Sequence, residues 1–327
     1  MYKSKLDIMQ TERMVKFLKT VFEAELSSAL NLSRISAPLF VTKESGLNDN
    51  LNGVERPVSF DVKATGKVVE VVHSLAKWKR YALAKYGFER GSGLYTDMNA
   101  IRRDEDMDNL HSIYVDQWDW EVVIDKEDRN VTFLQSAVRK IYRAIKNTCA
   151  KVREQFPVLS DFLPKDITFV TSQELEDRYP SLTPKQRETE FVKSCGAAFV
   201  MGIGAPLKSG KKHDGRAPDY DDWSLNGDII LYYPPLATAF EVSSMGIRVD
   251  KESLLSQLKA ENCMDRLQLD FHKALLGGEL PLTMGGGIGQ SRLSMFILEK
   301  MHIGEVQVSV WDEKTYAYCK ENNIQLM

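Results

Sequence analysis

Two spacings of apolar residues alternate along this chain and predict its secondary structure. Where apolar residues recur every three or four positions, the spacing predicts a helix with one buried face. Four segments have this spacing: residues 7–30, 134–156, 173–194 and 251–276. The third is predicted to break between Pro180 and Pro184, because proline cannot continue a helix.

Short runs rich in β-branched and aromatic residues predict strands. They occupy residues 31–41, 58–62, 68–73, 114–121, 167–170, 197–203, 228–233, 240–249 and 306–311. Residues 64–66 contain a Thr-Gly turn, which joins the second and third runs into a predicted hairpin. Pro38 interrupts the first run, as is tolerated at an edge or a break of a sheet, where its missing N–H group is not needed.

The composition limits the classes of protein to consider. With 327 residues the chain can bury a full core in one or two domains. A net charge of −3 argues against binding of nucleic acid. A mean hydropathy of −0.30 argues against a membrane span, and the polar first ten residues argue against a secretory signal. The four cysteines form no CxxC pair, so we expect reduced thiols in a cytosolic protein, without a zinc site.

Four glycines fall within residues 285–289, and a helical spacing starts directly after them. Without Cβ atoms, such a stretch lets a flat ligand or another backbone approach closely. Arg292 lies on the first turn of the helix, where a fixed guanidinium suits a nucleotide phosphate or a purine ring. The alternative is a tight turn before a C-terminal helix, and this stretch alone does not separate the two.

The segment from Gly91 to Glu121 concentrates polar side chains. An apolar stretch ends in Arg102-Arg103, an acidic loop follows, and residues 114–121 then alternate aromatic with polar side chains. The alternation predicts a strand, and its carboxylates and glutamine are too polar for a core. That face of the strand therefore either contacts water or holds a cationic ligand.

Glu241 and Ser243 share one face of a predicted strand, from which Ser244 begins the exit. Carboxylate and hydroxyl oxygens are the ligands that Mg²⁺ takes, completed by phosphates and water.

Asp49 lies in a polar loop, where an aspartate most often forms an Asx turn. Lys79 fits a solvated helix face equally well, although it follows a buried strand, where binding residues collect.

Two phosphate-binding patterns are only approximated. Residues 204–212 resemble a P-loop, but the second glycine is one residue late and Lys212 replaces the required Ser or Thr. The glycine run fails as a dinucleotide fingerprint, because Gln290 stands at the third glycine position. Both interpretations are rejected.

The order of these features resembles motifs one, two and three of the class II aminoacyl-tRNA synthetase core. Five blocks are similar to the ammonia-dependent aspartate–ammonia ligases within that superfamily: VVHSLAKWKR, HSIYVDQWDWE, RAPDYDDW, FEVSSMGIRVD and GGGIGQSRL. They span essentially the whole chain. The resemblance implies an α+β fold with an antiparallel sheet flanked by helices, as a single catalytic domain over residues 1–327. It also implies a homodimer with motif one at the interface.

The resemblance further implies a reaction in two steps. The side-chain carboxylate of L-aspartate attacks the α-phosphorus of ATP to give β-aspartyl-AMP and pyrophosphate, and ammonia then displaces AMP to give asparagine. L-Aspartate, ATP and ammonia are the implied ligands and Mg²⁺ the implied cofactor. The enzyme would act in the cytoplasm, with no nucleic acid or membrane partner.

The site residues follow from the matching blocks. Arg102 looks like the motif-two arginine that bridges the α-phosphate and the reacting carboxylate, although Arg103 fits the synthetases' own register. Arg292 looks like the motif-three arginine, and Asp49 is the candidate that deprotonates ammonium. The implied aspartate pocket is Asp49, Ser74, Lys79, Gln117, Asp119, Asp221 and Ser243. The implied ATP site is Arg102, His111, Tyr114, Glu241, Gly287, Gly289 and Arg292, and the implied metal ligands are Glu241 and Ser244.

Three other functions fit less well. A tRNA synthetase would need an anticodon-binding domain and a basic tRNA face, which this chain does not offer. A glutamine-dependent synthetase resembles N-terminal-cysteine amidohydrolases, whereas position 2 is Tyr2. A non-catalytic regulator would have damaged arginines or metal ligands, yet Arg102, Glu241 and Arg292 are present. One departure from the ligase pattern is a short loop after Trp223, to which no lid role is assigned.

Overall fold

The computed structural model of the protein describes residues 2–49 and 55–327. The α-helices in these ranges are α1 (Ile8–Leu30), α2 (Ala76–Tyr86), α3 (Val131–Gln155), α4 (Ser172–Arg178), α5 (Pro184–Cys195), α6 (Lys251–Ala260), α7 (Asp270–Gly277), α8 (Gln290–Ile297) and α9 (Glu313–Glu321). The strands are β1 (Leu32–Arg34), β2 (Phe40–Thr42), β3 (Ser59–Val62), β4 (Lys67–Val71), β5 (Gly93–Ile101), β6 (Tyr114–Val123), β7 (Thr168–Thr171), β8 (Ala197–Met201), β9 (Asp221–Tyr233), β10 (Thr238–Arg248) and β11 (Thr283–Gly289).

Eight strands form one large sheet in the order β1-β5-β6-β11-β10-β9-β8-β7. The central strand pairs are antiparallel, and only the two outermost pairs, β1 with β5 and β7 with β8, are parallel. The predicted α+β fold is therefore confirmed.

One face of this sheet is covered by helices. Phe22 of α1 packs on Trp118 of β6 with ring centroids 4.6 Å apart, inside a core cluster to which α3 also contributes. Side chains alternate along a strand, so the burial of Trp118 and Trp120 in this core turns Gln117 and Asp119 to the opposite face. The polar alternation predicted for this segment thus creates a second face that is free for chemistry.

A smaller sheet of order β2-β4-β3 lies beside the large one. The predicted hairpin is confirmed as β3 and β4, which pair antiparallel from Val62 with Lys67 to Ser59 with Glu70. Pro38 lies between β1, which belongs to the large sheet, and β2, which belongs to the small one. The proline therefore marks the point where the chain changes sheets.

Two predicted elements differ from the structure. Residues 306–311 form no strand, and Val308 and Val310 are 67% and 70% exposed, because no strand of the described chain lies beside them to make a ladder. The predicted helix 251–276 is divided into α6 and α7, since Asn262 takes a left-handed conformation (φ 54°) that ends the first helix.

Two strand bounds near the polar face also differ from the predicted ones. β9 begins at Asp221, seven residues before the predicted start, and β10 runs to Arg248. Ser244 therefore lies within β10 and not at its exit.

None of the helices in the described ranges is both long and apolar enough to cross a membrane.

Candidate active site

A cleft of about 380 Å³ opens on the polar face of the large sheet. The central strands β6, β11 and β10 form its floor, and α8 and the loops after β5 and before β9 form its walls. Of the predicted site residues, those that line it are Asp49, Ser74, Arg102, His111, Tyr114, Gln117, Asp119, Asp221, Glu241, Ser243, Ser244, Gly287, Gly289 and Arg292. Segments that are distant in sequence are thus brought to one place.

The glycine run is strand β11, in the middle of the sheet between β6 and β10, and the alternative of a tight turn is wrong. A Cβ atom at Gly285 would overlap the Glu121 carboxylate and lie 2.7 Å from the Arg248 guanidinium. A Cβ atom at Gly287 would overlap the side-chain amide of Gln117. The glycines are therefore required because side chains from neighbouring strands lie directly over β11.

Lys79 is the one predicted site residue that does not line the cleft. It is fully buried, forms an ion pair with Asp119, and donates hydrogen bonds to the carbonyls of Trp120 (2.9 Å) and Gly286 (3.2 Å). Burial raises the pKa of Asp119 and lowers that of Lys79, because both groups lose their water and their mutual attraction only partly offsets this loss. The contact of Lys79 with the substrate stays a prediction: in the structure Lys79 lies behind Asp119 and holds that carboxylate through their ion pair.

Arg248 is a cleft residue that the sequence analysis did not assign. Its guanidinium donates to Glu121 through Nη2 at 2.7 Å and to Asp221 through Nη1 at 2.5 Å. Thr283 donates a further hydrogen bond to Glu121 at 2.7 Å. The sequence contained a signal: an arginine between the apolar residues Ile247 and Val249 at the end of a strand has to be paired if it is buried, and acidic residues of adjacent strands are the expected partners.

Arg216 and Asp228 were also missed, and both line the cleft. The Arg216 guanidinium donates to Asp228 Oδ1 at 2.7 Å and to the hydroxyl of Ser244. Burial and the negative charge of Glu241 raise the pKa of Asp228 to about 6, although Arg216 opposes this shift. Asp228 could have been suspected because it precedes an entirely apolar strand segment, where a carboxylate needs a partner.

Glu241 lies at the centre of several positive charges. Burial by itself would raise its pKa, but the charges of Lys185, Arg292 and Arg216 outweigh burial, and the pKa of Glu241 is lowered. Arg292 donates through Nη1 to the backbone carbonyl of Glu241 at 3.0 Å, and through Nε to the carbonyl of Leu110 at 3.2 Å. An ionised carboxylate and a fixed guanidinium thus lie together at this end of the cleft.

Arg102 lines the cleft and Arg103 does not. The only ion pair of Arg102 among the described residues is a long one, 3.9 Å to Glu105 at the entrance. Arg103 is exposed. Of the two adjacent arginines, Arg102 is therefore the one placed to reach a ligand.

The remaining walls are polar and held by local hydrogen bonds. Tyr114 donates from its hydroxyl to Asn99 at 2.6 Å, and the His111 ring contacts Asp108 at 2.8 Å. Asp49 is buried at the opposite side, where its backbone N–H donates to the Asn48 side chain at 3.0 Å. Tyr220 lines the cleft nearby, and its pKa is raised by burial and then by the charge of Asp49.

The described residues contain no group of three or more His, Cys, Asp or Glu side chains arranged to hold a metal ion alone. Mg²⁺ in phosphate chemistry is usually held by one or two carboxylates together with substrate phosphates and water. Asp228 and Ser244 lie directly opposite each other in β9 and β10, and the Glu241 charge acts on Asp228. These three oxygen donors therefore fit an ion that arrives with its own phosphate ligands.

A model of the protein family described as aspartate-ammonia ligase matches residues 9–323. The aspartate–ammonia ligase of Clostridium perfringens (strain ATCC 13124) is 61% identical over 327 residues, covering 100% of this chain and 97% of that protein. The aspartate–ammonia ligase of Ruminiclostridium cellulolyticum is 62% identical, with the same two coverages.

Among solved structures, the asparaginyl-tRNA synthetase of Entamoeba histolytica in complex with asparaginyl-adenylate superposes with a TM-score of 0.65 at 14% identity. The match covers 92% of this chain and 66% of the synthetase, so this chain spans slightly less than two thirds of that protein. At this identity the likeness concerns the fold alone.

Proposed function

The chain belongs to the aspartate–ammonia ligase family, whose members make asparagine from aspartate and ammonia, and we propose that the reaction takes place in the cleft between Arg102 and Arg292. ATP activates the aspartate side chain as β-aspartyl-AMP, and ammonia then displaces AMP. The observation that carries this proposal is the convergence of four guanidinium groups, a larger number of carboxylates and the glycine strand β11 in one cleft.

In the first step the aspartate carboxylate attacks the α-phosphorus of ATP, and negative charge develops on the phosphate oxygens. Positive groups that are already fixed in place stabilise such charge without reorganisation. Arg102 faces the α-phosphate and the reacting carboxylate, and Arg292 lies against the adenine and the γ-phosphate. His111 and Tyr114 belong to the nucleotide side, and Gly287 and Gly289 belong to its floor, where the missing Cβ atoms leave room for the Gln117 and Arg292 side chains.

The aspartate substrate lies at the other end, where its ammonium group meets Asp119 and Asp221. Ser74, Gln117 and Ser243 supply neutral hydrogen-bonding groups there. Its α-carboxylate needs a cation, and Arg248 takes the role expected of Lys79 because Arg248 lines the cleft. Lys79 holds Asp119 in position.

Asp49 serves the second step. Ammonia must attack as neutral NH₃, yet near pH 7 it exists mostly as ammonium. A carboxylate beside the acyl carbon attracts that cation and accepts its proton, which combines binding with general-base catalysis. Asp49 lies buried at the edge of the cleft and is the candidate for this role.

Glu241 and Ser244, with Asp228, would hold Mg²⁺ together with ATP. When bound, the ion neutralises phosphate charge and orients the triphosphate. The oxygen donors of β9 and β10 support this assignment, since Mg²⁺ prefers carboxylate and hydroxyl oxygens to nitrogen or sulfur ligands.

The whole chain acts as one catalytic domain and associates as a homodimer in the cytoplasm. Phe40 and Phe60 of the small sheet support the dimer, since they are 44% and 42% exposed with ring centroids only 5.3 Å apart. Such an exposed aromatic pair, which begins two residues after Pro38, suits a second copy of the chain. Serine at both positions is expected to give monomers in sedimentation experiments, whereas a dimer that survives both changes would place the interface elsewhere.

The proposed reaction is tested by incubating the protein with ATP, Mg²⁺, aspartate and ammonium. Asparagine, AMP and pyrophosphate in equal amounts are expected. The formation of ADP and phosphate would overturn the adenylate mechanism, and in a parallel reaction to which tRNA is added, transfer of aspartate to the tRNA would instead identify a synthetase. Replacing ammonium with glutamine is the control for the nitrogen source.

A further inference from the structure

Arg216 has no assigned role, yet its buried guanidinium contacts side chains of both β9 and β10 in the cleft. Its side chain is only 7% exposed. It contacts Asp228 Oδ1 at 2.7 Å and the Ser244 hydroxyl, and its Nε lies 3.8 Å from Asp221 Oδ2. These contacts come from β9 and β10, whereas Arg216 itself belongs to the loop before β9.

Two of these partners are proposed metal ligands. Asp228 and Ser244 lie opposite each other in the strand register, and the Glu241 carboxylate acts on both Asp228 and Arg216 through its charge. A divalent cation on Asp228 and Ser244 would therefore meet the guanidinium already bound to the same oxygens. Two cations cannot share these oxygens at close range, because their repulsion in a poorly solvated site is large.

We propose that Arg216 is a placeholder cation, which occupies the Asp228 and Ser244 oxygens while the cleft is empty and moves onto the phosphates of ATP when the divalent cation arrives. The identification of ATP as the second partner rests on the proposed function. Without Arg216, no guanidinium or ammonium group of the described residues would contact Asp228 directly, and Lys185 would act on it only through its charge. With it, the empty site is neutralised, and the divalent cation binds well only together with a nucleotide that receives the guanidinium.

The affinity of the protein for Mn²⁺, measured without nucleotide, distinguishes this proposal from the alternative that Arg216 only binds phosphate. Mn²⁺ takes the same oxygen ligands as Mg²⁺ and its free and bound forms are distinguished by electron paramagnetic resonance. Removing a competing charge within a few ångströms should tighten binding of Mn²⁺ to Arg216→Met by roughly tenfold or more relative to the unchanged protein. An arginine that did not occupy the Asp228 and Ser244 oxygens in the empty cleft would change the affinity for Mn²⁺ alone by much less than tenfold.

Two variants control this comparison. Arg187→Met removes another nearly buried guanidinium, which pairs with Glu176 at 3.4 Å outside the cleft, and it should leave Mn²⁺ affinity as it was. In the double variant Arg216→Met with Asp228→Asn, the gain in affinity should disappear, because the added ion uses the Asp228 carboxylate. A gain that persists in the double variant would overturn the proposal, since the ion would then bind elsewhere.

A third variant, in which lysine replaces Arg216, keeps the comparison informative if the methionine variant misfolds. Arg216→Lys keeps one positive charge with fewer donors and should bind Mn²⁺ with an affinity between those of the other two proteins. Equal Mn²⁺ affinity in the unchanged, Lys and Met proteins, with circular dichroism spectra that coincide, would show that Arg216 does not compete. No aspartate or ATP is present in these measurements, so a failure of the proposed ligase mechanism would leave their outcome unaffected.

Discussion

Arg292 Nη1 donates a hydrogen bond to the backbone carbonyl of Glu241 across 3.0 Å. The two residues are distant in sequence, and each belongs to a different part of the proposed ATP site. This bond fixes the guanidinium relative to β10, the strand of the proposed metal ligands, before any ligand arrives. A fixed donor is the arrangement that stabilises a transition state most effectively, because no reorganisation is needed during the reaction.

Arg292→Lys is therefore expected to fail almost as badly as Arg292→Ala. Lysine keeps the charge, but its single nitrogen cannot reproduce the fork that contacts both Glu241 and Leu110. Aspartate-dependent ATP–pyrophosphate exchange should fall by ~10²–10³ in both variants. If the lysine variant kept near-normal exchange, charge alone would be sufficient and the geometry of the fork would be irrelevant.

The neighbouring arginines Arg102 and Arg103 offer a matched pair. Arg102→Ala should slow pyrophosphate release by ~10²–10³, as for loss of one preorganised donor. Arg103→Ala should stay close to the unchanged protein, because Arg103 is exposed and does not line the cleft. Single-turnover release of labelled pyrophosphate measures both, and the reverse ranking would transfer the motif-two role to Arg103.

The Asp49→Asn variant separates the two chemical steps. If Asp49 binds and deprotonates ammonium, aspartate-dependent ATP–pyrophosphate exchange continues while asparagine formation collapses. A contact between Asp49 and the substrate ammonium would instead lower both rates together. A role in the loop alone would reduce thermal stability with little change in either rate, so calorimetry completes the comparison.

Lys79→Met tests the buried ion pair. Removing the lysine leaves Asp119 without its cation, and breaking such a pair costs about 3–5 kcal/mol of unfolding free energy. Urea unfolding followed by tryptophan fluorescence measures the loss. Adding Asp119→Leu should return part of the stability, because the uncompensated charge is removed as well. Unfolding of Lys79→Met at the normal urea concentration would show that the pair contributes nothing.

Much of the fold could be predicted because the core signals are local. The helical spacing predicted the start of α1 to within one residue. The alternation of aromatic and polar residues predicted the first residue of β6 correctly. The valines of residues 306–311 predicted a strand that the structure does not contain, and the reason is physical. Alternation predicts a strand only where another strand edge is available, and edges are set by the assembled fold.

The residues that motifs assigned to the site lie together around one cleft, apart from Lys79, whose position is decided by burial. Lys79 and Arg248 have the same charge, and only the fold shows which of them reaches the cleft. Arg216 lies in a charged loop, and nothing local indicates that the loop folds back onto β9 and β10. Long-range pairing of charges therefore had to come from the structure.

The glycine strand also has a consequence for the genetics of this enzyme. Alanine is the smallest possible change from glycine, yet at Gly285, Gly286 and Gly287 even its single methyl group would overlap atoms of the neighbouring strands. Each of these codons is one base away from an alanine codon. Even the smallest substitution that a single-base change can produce here therefore introduces a methyl group that overlaps neighbouring atoms. A library of all single substitutions should show three adjacent positions at which every replacement, alanine included, abolishes growth of a host that depends on this enzyme for asparagine.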